Sequence, residues 1–165
     1  KWAYQFESNV LDPFIAKILK KQAQDFLSIE KRSVLYDDTF LKNWFGGVQK
    51  AMLAVQEFLV RESRQGARIV AYGAPTKATL LANVAGLDSA SIAFVVEDNT
   101  YKVGRYLPGS AIPVREPSEL TSFKPDIIVL FAWNFSFDII AKLRSSIDYP
   151  VKVVIPLPKF EVVSL

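Results

Sequence analysis

Apolar residues change their period along this chain at Gly66. Before it they recur at helical spacing, and after it they come in short runs cut by turns. Phe14, Ile15, Ile18, Leu19, Gln22, Ala23 and Phe26 fall near a helical repeat, with Lys17, Lys20 and Lys21 on or beside the other face. Asp12-Pro13 suits an N-cap followed by Pro at the first helical position, so an amphipathic helix is predicted from there to about Glu30. A basic amphipathic helix suits a membrane surface or a partner groove. Packing on its own domain is the plainer expectation and is favoured. A second helix is predicted from an Asp38-Thr39 cap to a stop at Gly66. Its stripe is Leu41, Trp44, Phe45, Val48, Met52, Val55, Phe58 and Leu59, read as core packing and not as a cofactor box. Gly46-Gly47 interrupts it, each glycine costing about 1 kcal/mol against Ala, and predicts a kink or a close helix contact. Residues 1–11 show no period and stay unassigned.

From Gly66 onward strands and helices alternate. Strands are predicted at 67–71, 91–96, 111–114, 126–132 and 151–155, and helices at 76–85, 117–122 and 135–145, before a Pro-rich tail. Pro113 confines the third strand to an edge or a strand end. This alternation predicts an α/β fold with a mostly parallel sheet and helices on both faces. The expected organisation is a helical lead-in over 1–66 and a sheet domain over 67–165.

Composition narrows the function. The 165 residues are 50% hydrophobic and 22% charged, enough for a real core. Ten Lys and Arg meet eight Asp and Glu up to Gln65, and ten meet nine thereafter. No basic arm or stripe results, which argues against nucleic acid as a partner. No stretch is apolar enough to span a membrane. Cys is absent, so disulfides and thiolate metal sites are excluded and a cytoplasmic setting is expected. His is absent too. The commonest general base, the usual nucleophile pairs and most zinc sites are therefore missing, and no catalytic residue or metal ligand is assigned. The first residue is Lys1, not Met, from which a piece of something longer is expected.

In parallel sheets ligands gather outside the carboxyl ends of the strands, near a switch in strand order. Four features fall on that edge: the Gly73-Ala74-Pro75-Thr76-Lys77 turn, Glu97, the loop through Gly109, and Trp133-Asn134. A strand that turns into a helix leaves backbone N–H groups facing the turn, where an anion can sit. Lys77 in the first helical turn opposes the helix dipole, so it serves a ligand better than it serves the helix. Each feature also has an ordinary reading as turn, surface or core. Their convergence on one edge is what points to a site. No G-x-x-x-x-G-K-[ST] is present, which argues against a P-loop ATPase. No G-x-G-x-x-G is present either, and Ala74-Pro75 would crowd a pyrophosphate, although Glu97 lies about where a dinucleotide fold puts its ribose-binding acid.

Three blocks carry a family resemblance: Tyr72-Gly73-Ala74-Pro75-Thr76-Lys77, then Lys102-Val103-Gly104-Arg105-Tyr106-Leu107-Pro108-Gly109 with Ile112-Pro113, then Leu130-Phe131-Ala132-Trp133-Asn134. In order and spacing they resemble the C-terminal domain of the S-adenosylmethionine-dependent C-methyltransferases that act on nucleotide-linked deoxysugars. The resemblance covers roughly Arg68 to Glu161, with residues 1–66 only loosely similar. Ala71 and Ala78 stand where many members have Gly, and Thr76 where Ala is usual. Glu97 stands where Asp is usual, which keeps the charge and lengthens the reach.

The resemblance implies a Rossmann-like domain that closes over a methyltransferase domain and helps to hold the sugar nucleotide. It implies that S-adenosylmethionine and the base that forms the sugar enolate belong to a domain outside this chain, as does the family's Cys-rich zinc domain. This chain is then not catalytic alone. The Gly73–Lys77 turn, Glu97, Lys102, Arg105, Trp133 and Asn134 are the expected substrate contacts: Lys77 supplies charge, Lys102 and Arg105 hold the diphosphate, Trp133 offers a ring face and Asn134 a hydrogen bond. Two alternatives stay open, a structural domain that docks on the rest of a multidomain enzyme and a free-standing nucleotide-binding domain.

Overall fold

The computed structural model describes residues 13–32 and 37–165. Residues 1–11, the Asp12 half of the first cap and the side chain of Phe14 lie outside them. The chain divides into two compact units after Phe45.

In the first unit, α1 (Pro13–Lys31) forms over the predicted stretch and ends on Lys31, a charge that complements the dipole there. Its Ile18, Leu19 and Phe26 carry exposed apolar surface. Helix α2 (Asp38–Arg64) starts in this unit and ends in the second. Its cap is Asp37, one residue before the predicted pair. Asp37 Oδ1 accepts from the backbone N–H of Thr39 at 2.8 Å and of Phe40 at 3.0 Å, satisfying two orphan donors of the first turn. The α2 stripe splits in two. Met52, Val55, Phe58 and Leu59 are buried, whereas Leu41, Trp44 and Phe45 are exposed, so the core reading fails for its N-terminal half. Nor is a close contact found at Gly46 or Gly47, where an added Cβ would meet nothing within 4 Å. The helix continues through both.

The second unit is built on a six-stranded sheet of order β3-β2-β1-β4-β5-β6. The strands are β1 (Ile69–Tyr72), β2 (Val95–Val96), β3 (Val114–Arg115), β4 (Ile127–Leu130), β5 (Lys152–Ile155) and β6 (Glu161–Ser164). The first five pair in parallel, and β6 lies antiparallel on β5. Every residue of β1 and β4 is buried, as expected of parallel strands covered on both faces. Side chains alternate between those faces. Ile69 and Ala71 join Val55 and Leu59 of α2 and Ala78, Leu81 and Ala82 of α3 (Thr76–Val84). Val70 and Tyr72 join Leu120 of α4 (Glu119–Phe123) and Ile139 and Leu143 of α5 (Ser136–Ser146). The α/β expectation, helices on both faces, is met.

Three details differ. The β2 ladder narrows to Val95–Val96. The third strand shifts to Val114–Arg115 because Pro113 has no N–H to give, although its carbonyl accepts from Val95 N at 2.8 Å. The Pro-rich tail contains β6, which the sequence reading left out.

The amino ends of the strands are fastened by charge. Arg68 N–H donates to Asp126 Oδ2 at 2.8 Å, and the Arg68 guanidinium adds a second bond to that oxygen. Chiefly that backbone bond holds the Asp126 carboxyl below its ordinary range. Glu62, at the end of α2, is buried and accepts from Lys152 of β5 at 2.7 Å and from Arg61 at 3.2 Å. The Lys152 bond is the main reason the Glu62 carboxyl also sits low.

Candidate functional site

Strand order reverses between β1, whose sequence neighbours run to β2 and β3, and β4, which leads to β5. The carboxyl ends of β1 and β4 therefore flank the crevice where such sheets take ligands. They approach so closely there that Gly73 is required. Its φ is +86°, and an added Cβ would stand 2.5 Å from Ala132 Cβ. Its N–H reaches across to Val96 O at 2.7 Å.

The turn that follows is held from below by Glu97. One carboxylate oxygen accepts the Ala74 N–H at 2.6 Å and the other accepts the Asn99 N–H at 3.0 Å. Lys102 Nζ donates to Ala74 O at 3.0 Å and stands 3.5 Å from Glu97. The Glu97 side chain is only 13% exposed. Pro75 then caps α3 with extended backbone and no side-chain bond.

Asp98, the next residue, is fastened on the other face. It accepts from the Tyr72 hydroxyl at 3.0 Å and from Lys142 Nζ at 2.5 Å, and Lys142 stands 5.6 Å over the Tyr72 ring. Burial pushes the Tyr72 hydroxyl above its ordinary range, and the bond to Asp98 raises Lys142. Tyr72 and Lys142 were not among the residues the sequence singled out. Tyr72 stood inside the first family block, whereas Lys142 is one lysine among several on helices and carries no sequence signal.

Lys77 takes a different course. Its Nζ lies 4.3 Å over the Trp133 ring, and it forms no ion pair among the described residues. A cation on an exposed ring is held by only about 0.5–1 kcal/mol, so the charge is positioned without being neutralised. Trp133 is half-buried, packing on the core under α2 and α3, and opens a 3-10 turn through Phe135. Thr76 and Asn134 are exposed. Arg105 is exposed in the loop, whose backbone folds back through Val114 N to Arg105 O at 2.8 Å.

The rim thus brings together Gly73, Ala74, Pro75, Lys77, Glu97, Lys102 and Trp133. No hydrogen bond or ion pair among the described residues joins the side chains of Arg105 or Asn134 to them, and Lys102 is drawn to the turn instead of to Arg105. A shallow depression of about 270 Å³ opens beside them, lined by Tyr72, Gly73, Pro75, Asp98, Lys102 and Phe135 among others. At the β1 turn itself Ala74 N–H and Glu97 are bonded to each other.

A mostly parallel sheet with helices on both faces and a polar, aromatic carboxyl rim defines an α/β domain. Residues 15–158 match the C-methyltransferase C-terminal domain family, and the chain belongs to it. The match starts well before Arg68, so it takes in all of α2 and α1 from residue 15 onward. C-methyltransferase NovU of Streptomyces niveus is 29% identical over 116 residues, which are 70% of this chain and 28% of NovU. The chain therefore spans about 28% of the length of that relative. Among the described residues, no helix is long and apolar enough to cross a membrane.

Proposed function

We propose that this chain forms the substrate-side wall of an S-adenosylmethionine-dependent C-methyltransferase acting on a nucleotide-linked deoxy-ketosugar. The methyl donor, and the base that takes the proton beside the keto group, belong to another domain. The observation that carries this reading is the closure of the β1 turn: Glu97 occupies Ala74 N–H, while Lys77 stays free of carboxylates on Trp133. The sheet keeps the place where a nucleotide would bind but not the groups to grip a cofactor there. What it offers instead is a cation, a ring face and exposed polar groups for a substrate presented from outside. Family membership and the name of the relative agree with that role.

Lys77 holds a phosphate oxygen, Trp133 packs on the sugar and Asn134 bonds a hydroxyl. Titration calorimetry of this chain with a nucleotide-linked deoxy-ketosugar tests the assignment. Lys77→Met is expected to weaken binding about tenfold, the loss of one charge-assisted hydrogen bond. Equal affinity in the two proteins would remove Lys77 from the wall.

A second reading, a docking domain without a substrate role, draws support from Tyr101 and Phe137, which are 86% and 84% exposed. Charge reversal at Lys102 and Arg105 separates the two. In the docking case it loosens association with the methyl-donor domain and leaves sugar-nucleotide affinity unchanged. A free-standing nucleotide-binding domain is disfavoured by the family match, which is to a C-terminal domain.

A further inference from the structure

The rim depression is lined by two unlike sets of residues. One is apolar, formed by Pro75, Ala132, Ile139 and the ring of Phe135, a phenylalanine left 62% exposed. The other is polar, formed by the Tyr72 hydroxyl, Asp98 and Lys102. A flat ring with apolar faces and a polar edge matches such a lining, because every nucleobase has a π-face for an aromatic side chain.

Asp98 is prepared for this. Each of its oxygens holds one partner, Tyr72 on one and Lys142 on the other, and each keeps a further lone pair. The carboxylate is fixed in direction yet able to accept again. Lys142 acts here as a positioning residue. Lys102 lines the same depression.

Building on the sugar-nucleotide reading, we propose that this depression is the nucleobase subsite, with Phe135 stacking on the base and Asp98 accepting its ring N–H. The probes are uridine diphosphate, whose base carries such an N–H, and inorganic pyrophosphate, which has no base. Both are titrated into the 165-residue chain and its Phe135→Ala and Phe135→Tyr variants, with circular dichroism as the check on folding. Because Phe135 is largely exposed, both variants are expected to fold.

Uridine diphosphate should bind more tightly than pyrophosphate. Phe135→Ala should cost about tenfold for the nucleotide, in line with one lost base–aromatic stack, and nothing for pyrophosphate. Phe135→Tyr should restore the nucleotide affinity. Equal binding of the two probes, or a Phe135→Ala chain that holds the nucleotide like the parent, would overturn the base subsite and leave the phosphate wall standing. Binding of neither probe would overturn the base subsite and count against the sugar-nucleotide reading itself, which a titration with the intact sugar nucleotide would then decide separately.

Discussion

The two ends of the parallel sheet use the same residue types for opposite purposes. At the amino end Asp126 and Glu62 are matched by Arg68, Lys152 and Arg61, so the charges there close the fold. At the carboxyl end Glu97 and Asp98 are matched too, but by Ala74 N–H, Tyr72, Lys102 and Lys142, of which Tyr72 and Lys102 line the depression. Beyond them Lys77 sits on an indole, and Phe135 and Phe137 face solvent. A charge answered on every side holds structure together. The rim lysine on its indole has a counterpart at the amino end, where Lys124 lies 5.9 Å over the Tyr149 ring, so the two ends differ in the partners of their carboxylates and in the exposed phenylalanines of the rim.

The contrast can be broken most severely at Gly73. Gly73→Ala forces a positive φ on a residue with a Cβ and drives that Cβ into Ala132, at a cost of about 3 kcal/mol in urea unfolding. Glu97→Ala comes next, at about 2 kcal/mol. It frees the Ala74 and Asn99 amides, whose hydrogen exchange should quicken ahead of the rest of the sheet.

At the amino end, Lys152→Met should cost roughly 1.5 kcal/mol at neutral pH. Glu62 has a depressed folded pKa, so its contribution is present above its ordinary value of 4.5 and is lost as pH falls through the folded value. Without Lys152 that acid-side slope should flatten, read as the urea midpoint from pH 7 down to about 3. The smallest effect is expected at Lys142. Lys142→Met breaks a half-exposed pair and should cost under about 1 kcal/mol. Tyr72 and Lys142 have raised folded values, so their stabilisation is complete below their ordinary 10.0 and 10.5 and fades as pH rises through the folded values. Lys142→Met should therefore remove the lysine's own share of the loss of stability above about pH 10, leaving those of Tyr72 and Tyr149, both raised chiefly by burial.

The sheet was legible because its central strands are nearly pure apolar runs: Ile69-Val70-Ala71-Tyr72 and Ile127-Ile128-Val129-Leu130 allow no other placement. Strand β6 was not, since Glu161-Val162-Val163-Ser164 is an edge piece defined by its pairing with β5 and hidden among prolines. The α2 stripe misled in its N-terminal half because periodicity tells which residues share a face, not whether anything covers that face. At the rim, sequence placed the turn, Glu97 and Trp133 on one edge. It could not tell that Glu97 points under the turn, since a carboxylate's direction depends on the donors it meets. Nor could it find Lys142, which joins the rim only through Asp98.

The most direct test follows backbone amide shifts of the chain during titration with a nucleotide-linked deoxy-ketosugar. Perturbed amides confined to residues 73–77, 97–105 and 132–137 would agree with a substrate wall at the carboxyl rim. Saturable binding with shifts elsewhere, or no shifts at all, would contradict it.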